Sequence, residues 1–321
     1  MSDLAIDVAI DVEQLVKVYR AGTPREVRAV DGLSFSVRRG EIFGLLGPNG
    51  AGKTTTLRVL TTLARPTSGR VLVHGLDVAR RPLDVRGVIS VVIQEQAAEL
   101  LLSVRDNLRT FARFHQQRGP SVATRIDGVL ERFGLASIAD TKVQDLSGGA
   151  RRRVQVAKMF IVDTPILFLD EFSSGMDPIL KRSVIELLRE QSGQGRTIVL
   201  TTQILTEAEE LCDDILIMNR GREIARGDLH HLKTLVDRLY DVTLTFEQIP
   251  ADVRGMVAAL HPIELVTTHN TLQMKLREDE AQVLELVTAI ARRARLLRIE
   301  INGATLEDVF VELTKRAGGG E

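Results

Sequence analysis

The sequence is poor in cysteine, in net charge and in long apolar runs, and each shortage excludes a class of protein. Cys212 is the only cysteine among 321 residues, so the chain can form neither an internal disulfide nor a metal cluster of cysteines. The 42 Lys and Arg residues are balanced by 43 Asp and Glu, which leaves a net charge of −1. Nucleic-acid binders more often carry a basic excess, so this balance predicts no nucleic-acid partner.

We also expect no segment that directs the chain to or through a membrane. No stretch reaches the roughly 18 consecutive apolar residues of a spanning helix. The N-terminal segment MSDLAIDVAIDVEQ carries acidic residues where a signal peptide needs a basic flank and an apolar run. The composition, 44% hydrophobic and 26% charged, is ordinary for a globular protein with a full core. We therefore expect a cytosolic chain.

The length leaves room for two domains. Residues 8–235 alternate strand-like and helical patterns, as in ILFLDE and RTIVLTT, which predicts a mainly parallel sheet covered by helices. A helical subdomain is predicted at about 95–165 within them. Residues 236–321 instead follow the order βαββαβ with one more helix, which suits a small ferredoxin-like α+β domain. Thr305 and Asp308 match the capping box that would begin that last helix.

A glycine-rich motif follows the apolar run IFGLL and precedes a helical pattern. Its glycines let successive backbone N–H groups point into one anion-binding nest, and the helix N-terminus adds partial positive charge. Lys53 would reach the β- and γ-phosphates of a nucleotide, and Thr54 would ligate Mg²⁺. A chance match is the alternative, and the strand–helix context argues against it. The motif fits G-x-x-x-x-G-K-[ST], and with Thr55 it forms the predicted nucleotide-binding set: Gly47, Pro48, Asn49, Gly50, Ala51, Gly52, Lys53, Thr54 and Thr55.

Two carboxylates end another apolar run, Leu167-Phe168-Leu169-Asp170-Glu171. Taken alone, this could be a strand that ends at the surface. Beside a phosphate loop, an Asp at the strand end can hold the Mg²⁺ shell and the next Glu can polarise the attacking water. We therefore predict ATP and Mg²⁺ as cofactors, Asp170 as a metal ligand and Glu171 as a catalytic residue.

The segment Leu146-Ser147-Gly148-Gly149 precedes a helix that begins near Ala150. One interpretation is an N-cap serine with turn glycines. The other is a second helix start that binds phosphate. A chain with one phosphate loop has little use for two such sites facing the same nucleotide. The second interpretation therefore places Ser147, Gly148 and Gly149 against a nucleotide held by another subunit.

Taken in order, the phosphate loop, Gln94, LSGG, LFLDE, Asp177 and the polar residue of LTTQ resemble the nucleotide-binding domain of ABC transporters over residues 10–235. The resemblance implies a P-loop NTPase cassette with α/β fold that hydrolyses ATP. It also implies a second copy of the chain as partner, arranged head to tail so that two ATP molecules lie between the subunits.

The same resemblance implies roles for single residues. Tyr19, in VKVY, would stack on adenine. Gln94 would touch Mg²⁺ and sense a transmembrane partner, and with Gln203 it would join Glu171 as a catalytic residue. Ser147 and Gly149 would contact the γ-phosphate held by the opposite subunit, and Asp177 would lie across the dimer seam.

Three positions depart from the usual pattern of that family. Gln203 stands where most members have a histidine that contacts the γ-phosphate; an amide can donate a hydrogen bond there but cannot take on charge. Phe172 follows Glu171 where a proline is usual. Ala150 replaces a polar residue and precedes Arg151–Arg153, which form either a solvated basic face or a contact with a neighbouring charge.

The sequence LTTQ and the segment GATLEDVF, residues 303–310, resemble the ATPases of daunorubicin-type drug exporters. In that branch the six-helix membrane subunit is a separate polypeptide. The resemblance therefore implies a peripheral location at the cytoplasmic face of the cell membrane and export of a drug or other hydrophobic substrate. Two alternatives stay open: a soluble ABC-type ATPase that acts on ribosomes or nucleic acid, and the ATPase subunit of an importer.

Overall fold

Three runs of the sequence are buried along their whole length in the computed structural model: Ile42–Leu46, Ile166–Asp170 and Thr197–Thr202. Strands enclosed on both faces are typical of parallel sheets covered by helices. These strands belong to the first of two compact units, Met1–Arg226, and Gly227–Glu321 form the second. The structure describes residues 7–92, 98–173, 176–236, 239–258 and 260–318.

The strands up to residue 227 form two sheets. The six-stranded sheet has the order β10-β9-β3-β8-β7-β6, and its pairs from β9 to β6 run parallel, as predicted. The first strands instead form a separate antiparallel sheet of order β2-β1-β4-β5, because the short connection between β1 and β2 reverses the chain. The strands are β1 (Val8–Tyr19), β2 (Val27–Arg38), β3 (Ile42–Leu46), β4 (Ser68–Val73), β5 (Leu76–Asp77), β6 (Ile89–Val92), β7 (Ile166–Asp170), β8 (Thr197–Thr202), β9 (Asp214–Asn219) and β10 (Arg222–Gly227).

The helices of the first unit cover the sheets and form the region predicted to be helical. Leu108, Ile126 and Val154 from three of them join one apolar cluster with strand residues such as Leu167. Within the described part of the chain, no helix combines the length and apolar character needed to cross a bilayer. The helices are α1 (Lys53–Leu60), α2 (Pro82–Val88), α3 (Val104–Phe114), α4 (Pro120–Arg132), α5 (Gly148–Ala157), α6 (Pro178–Gly193) and α7 (Leu205–Leu211).

The second unit has the predicted ferredoxin-like arrangement. Its antiparallel sheet has the order β12-β13-β11-β14, with one helix between its first two strands and another between its last two. The unit begins before the predicted boundary at 235/236, because α8 contacts α11. The elements are α8 (Leu229–Thr234), β11 (Leu239–Phe246), α9 (Ala251–Ala258), β12 (Glu264–Thr267), β13 (Thr271–Arg277), α10 (Glu280–Ala291), β14 (Leu296–Gly303) and α11 (Leu306–Gly318).

The predicted capping box at the last helix is formed. The Thr305 hydroxyl accepts a hydrogen bond from the Asp308 backbone N–H at 3.2 Å. In return, the Asp308 carboxylate accepts from the Thr305 backbone N–H at 2.9 Å. These reciprocal bonds satisfy two backbone donors at the start of α11.

Close packing behind the phosphate loop makes Gly44 a sensitive position. A Cβ added to Gly44 in β3 would lie 2.7 Å from Sγ of Cys212, at the end of α7. Burial raises the pKa of the Cys212 thiol, so it stays neutral and contributes by packing. We expect Gly44→Ala to lower the free energy of unfolding by about 1–3 kcal/mol, because the core is overpacked.

Urea unfolding of Gly44→Ala with and without Cys212→Ala measures this effect. Cys212→Ala removes the clashing sulfur, so the double variant should recover most of the lost stability. Wild-type stability of Gly44→Ala, or no recovery in the double variant, would contradict this account of the contact.

Candidate nucleotide site

The phosphate loop connects β3 to α1, and its backbone requires glycine at defined positions. Gly50 and Gly52 have φ of 81° and 106°, in the left-handed region that other residues rarely adopt. A Cβ at Gly52 would lie 2.5 Å from the Ala29 carbonyl oxygen, and one at Gly47 would lie 2.4 Å from the Met218 carbonyl oxygen. The loop can therefore follow this path only with glycine at these positions.

Lys53, the first residue of α1, has its amine folded against the loop. Its Nζ donates hydrogen bonds to the carbonyl oxygens of Gly47 at 2.6 Å and Pro48 at 3.1 Å. Burial lowers the pKa of Lys53, while the charges of Glu171 and Asp170 act in the opposite direction. A cation and a helix N-terminus thus meet at one loop, an arrangement that binds anions.

A cleft of about 410 Å³ joins the predicted adenine and phosphate residues, and its size falls within the usual range of ligand pockets. Tyr19 and Val27 are register partners of β1 and β2 and provide its apolar wall. Lys17 Nζ lies 4.8 Å from the centre of the Tyr19 ring. The residues that line the cleft are Tyr19, Val27, Arg28, Ala29, Asn49, Gly50, Ala51, Gly52, Lys53, Thr54, Thr55, Glu171 and Arg220.

Four of these lining residues escaped the sequence analysis: Val27, Arg28, Ala29 and Arg220. Val27 could have been found from strand pairing, because it is the register partner of Tyr19. Arg28 is paired with Asp31, whose carboxylate lies 2.7 Å away and raises the pKa of the guanidinium. Arg220 comes after β9, far from the motif in sequence, and no local pattern distinguishes it from other surface arginines.

The two predicted carboxylates are placed differently. Asp170 ends β7, is only 4% exposed and accepts a hydrogen bond from the Thr201 hydroxyl. Glu171 lines the cleft, and its φ of 44° is unusual for a residue with a side chain. Its backbone N–H donates to the Thr201 carbonyl oxygen at 3.1 Å, which holds this strained turn against β8.

Gln203 is exposed and directly follows β8. Because β3, β8 and β7 are parallel neighbours, the loops after them lie at one edge of the sheet. That edge therefore carries the phosphate loop, Gln203 and the Asp170–Glu171 pair. Gln94, predicted to touch both the metal and a membrane partner, lies outside the described residues.

Ser147, Gly148 and Gly149 do not belong to the cleft lining. Ser147 caps α5 by accepting a hydrogen bond from the Ala150 backbone N–H at 3.3 Å. Both glycines are exposed, and apart from their chain neighbours and the backbone of their own helix, no described atom lies within 4 Å of a Cβ built on either one. Packing within the described chain therefore does not explain why these two positions are glycine.

Asp177 is also exposed and is absent from the described lining of the cleft. It caps α6, where its carboxylate accepts a hydrogen bond from the Leu180 backbone N–H at 2.9 Å. The neighbouring departure from the family pattern, Phe172, is 1% exposed and belongs to the large apolar cluster of the first unit.

The basic run after LSGG begins with exposed Arg151, and all three of its arginines donate to neutral oxygens of their own unit. Arg151 donates to the Leu146 carbonyl oxygen at 3.0 Å, and Arg153 to that of Phe133 at 3.3 Å. Arg152 donates to the Phe172 carbonyl oxygen at 2.6 Å. Arg152 thus connects α5 to the loop that follows Glu171.

A glycine-rich loop that leads into a helix at this edge of a parallel sheet is typical of nucleotide-binding α/β proteins. Comparison with known proteins gives the family. The ABC transporter family model matches residues 30–174. The chain is 39% identical over 315 residues to the daunorubicin resistance ATP-binding protein DrrA3 of Streptomyces coeruleorubidus, with 96% of each chain covered.

Two further comparisons agree. The Nod factor export ATP-binding protein I of Neorhizobium galegae is 36% identical over 315 residues, which cover 98% of this chain and 87% of that protein. A solved structure of the ATP-binding subunit of an ABC transporter has a TM-score of 0.66 at 27% identity and covers 71% of this chain and 92% of that one. The chain therefore belongs to the ATP-binding proteins of ABC transporters and is an ATP-hydrolysing subunit.

Proposed function

We propose that this chain drives an exporter of a drug or other hydrophobic compound from the cytoplasmic face of the cell membrane, where it binds a separate integral-membrane subunit. Its likeness along nearly the full length to a daunorubicin resistance protein and a Nod factor export protein supports export. These relatives do not favour either of the two alternatives. The first is an ATPase that acts on ribosomes or nucleic acid, and the second is the ATPase subunit of an importer. The observation that carries the catalytic part is that the phosphate loop and Glu171 line one cleft.

In the proposed mechanism, the loop and Lys53 orient the β- and γ-phosphates of ATP. A water molecule attacks the γ-phosphorus, the bond to the ADP oxygen breaks, and the proton of the water goes to Glu171. The side-chain amide of Gln203 donates a hydrogen bond to the γ-phosphate. Tyr19 stacks on the adenine at the apolar wall of the cleft.

The residues at this edge suit Mg²⁺, which prefers oxygen ligands. Thr54 is exposed on the first turn of α1. One carboxylate oxygen of Asp170 accepts the hydrogen bond from Thr201, which leaves the other oxygen for a metal ion. These two side chains, with Gln94, would hold the ion. When bound, it would neutralise the charge that develops on the phosphates.

A second copy of the chain would complete the site. The exposed start of α5 offers backbone N–H groups and a helix N-terminus, and its glycines leave room for close approach. In a head-to-tail dimer, Ser147, Gly148 and Gly149 would contact the γ-phosphate bound by the other copy, with Asp177 at the seam. Hydrolysis would then reopen the dimer and reset the membrane subunits.

Co-expression with the product of a neighbouring reading frame, chosen because it encodes six hydrophobic spans, tests the function. We expect a complex that survives purification in detergent, and ATP-dependent accumulation of a hydrophobic drug in inside-out vesicles. Glu171→Gln vesicles are the matched control. A chain that instead sediments with ribosomes or is retained on DNA, and leaves the membrane protein behind, would contradict the proposal.

Gln203→Ala should slow hydrolysis only modestly. A lost neutral hydrogen bond is worth roughly 0.5–1.5 kcal/mol, or about ten-fold at most. Because an amide does not titrate, no change of the ATPase rate with pH at about 6.5 should depend on this residue. Steady-state rates with the membrane subunit present measure both effects, and exposed Gln273 supplies the control variant Gln273→Ala. If Gln203→Ala is as inactive as Glu171→Gln, the glutamine itself orients the attacking water.

A further inference from the structure

Three buried carboxylates of the described chain have no role in the proposed mechanism, and Glu207 is the most enclosed of them. Glu207, on α7, is 0% exposed. A carboxylate withdrawn from water is strongly unfavourable unless it is paired and hydrogen-bonded. Its counter-ion is Lys181 on α6, whose Nζ lies 2.7 Å from Oε1 of Glu207. Among the described residues, its other hydrogen bonds are to two hydroxyl groups.

Both hydroxyl groups come from the loops that carry the proposed catalytic residues. The Ser173 hydroxyl, two residues after Glu171, donates to Oε1 of Glu207. The Thr202 hydroxyl, directly before Gln203, donates to Oε2 at 3.1 Å. One carboxylate thus connects the loop after β7 with the turn after β8, using a different oxygen for each.

Each connection also fixes backbone near a catalytic side chain. The Thr202 oxygen accepts a hydrogen bond from the Ile204 backbone N–H at 2.9 Å, which closes the turn around Gln203. On the other loop, Arg152 binds the carbonyl oxygen of Phe172, next to Ser173. The two residues that follow the strained Glu171 are therefore both held, Phe172 by Arg152 and Ser173 by Glu207.

We propose that Glu207 is a positioning residue for ATP hydrolysis, which keeps Glu171 and Gln203 at a fixed separation through Ser173 and Thr202. This inference rests on the roles proposed above for Glu171 and Gln203. A misplacement of about 1 Å at a catalytic group can cost about 10²-fold in rate, so a fixed separation matters for turnover. ATP affinity should depend little on Glu207, because the phosphate loop makes none of these contacts.

The test compares Glu207→Gln with Glu210→Gln, which removes a charge from an exposed position of the same helix. We expect Glu207→Gln to lower kcat by about 10–10²-fold, with the Kd for ATP close to that of the wild type. Glu210→Gln should leave both quantities unchanged. Thermal unfolding of each variant reports whether the fold is retained.

Variants that each remove one hydrogen bond of Glu207 show which loop transmits the effect. They also test the proposal if Glu207→Gln does not fold. Thr202→Val and Ser173→Ala should each lower kcat at constant ATP affinity. In the Gln203→Ala background, Thr202→Val should have no further effect, because it acts through Gln203. Ser173→Ala should keep its effect there, because it acts through Glu171.

A merely structural role would lower kcat, ATP affinity and the unfolding temperature together, and to the same extent in both backgrounds. That result, or a Glu207→Gln variant as active as Glu210→Gln, overturns the inference. Glu171→Gln serves as reference. If it hydrolyses ATP normally, the catalytic assignment itself is wrong; if it is inactive while Glu207→Gln is normal, only the positioning role is wrong.

Discussion

Glu171→Gln should reduce steady-state ATP hydrolysis by about 10²–10⁴-fold, the usual contribution of a general base. The amide has nearly the same shape but cannot accept the proton of the attacking water. Lys53 and the phosphate loop are unchanged, so equilibrium titration should give a Kd for ATP close to that of the wild type. Removing one negative charge near the γ-phosphate gives no reason for weaker binding.

The same variant should accumulate as a dimer that retains ATP, because the step that reopens the dimer is blocked. Size-exclusion chromatography with ATP and Mg²⁺ measures this, and Glu210→Gln is a control with the same chemical change at an exposed position. A Glu171→Gln protein that stays monomeric under these conditions, or that hydrolyses ATP at the wild-type rate, would contradict the role of Glu171.

The phosphate loop could be predicted in detail because its determinants are local. Gly47, Gly52 and Lys53 lie within one short segment, and the backbone path between a strand and a helix requires them in that order. The fold of the second unit could also be predicted from the sequence. Its strands β11 and β13 alternate buried and less buried residues, as at Val242, Leu244 and Phe246, and alternation is visible in the sequence.

Features that depend on distant segments could not be predicted in this way. The strand pattern of residues 8–38 is the same whether β1 and β2 join the parallel sheet or form their own. Which side chains form the walls of the cleft depends on pairing and on chain path, as Val27 and Arg220 illustrate.

Glu207 is the clearest case of a residue hidden from sequence analysis. A glutamate on a short helix usually faces water. Its partners Ser173, Lys181 and Thr202 belong to three other segments, so only the folded chain brings them together. The reverse holds for Ser147 and Asp177, which the family resemblance assigns to an interface between subunits. In the chain alone they are helix caps, and their proposed roles require the second copy.

As the pH is raised, ATP binding by the wild-type chain should weaken at a lower pH than the pKa of an exposed lysine predicts. Burial lowers the pKa of Lys53 from 10.5, so the amine loses its proton, and with it the attraction for phosphate, at a lower pH than an exposed lysine does. Titrations of ATP affinity against pH measure this limb. It should be missing from Lys53→Met, which has no amine to titrate.

Lys53→Ala should abolish tight ATP binding, because it removes the cation held beside the β- and γ-phosphates. Charge-assisted hydrogen bonds contribute about 1.5–3 kcal/mol, so a Kd raised by about 10–10²-fold is expected. In the structure the amine bonds the Gly47 and Pro48 carbonyl oxygens, so its removal could also loosen the loop. Lys53→Met, which keeps most of the side-chain volume, separates this packing effect from the lost charge.

Equilibrium titration with labelled ATP, and thermal unfolding of the same preparations, decide between the two causes. Lys142→Ala removes an exposed lysine and should bind ATP like the wild type. If the charge matters, Lys53→Met and Lys53→Ala lose affinity to a similar degree while both remain folded. If Lys53→Met binds ATP as tightly as the wild type, the amine does not contact the phosphates and the assignment of the phosphate loop is wrong.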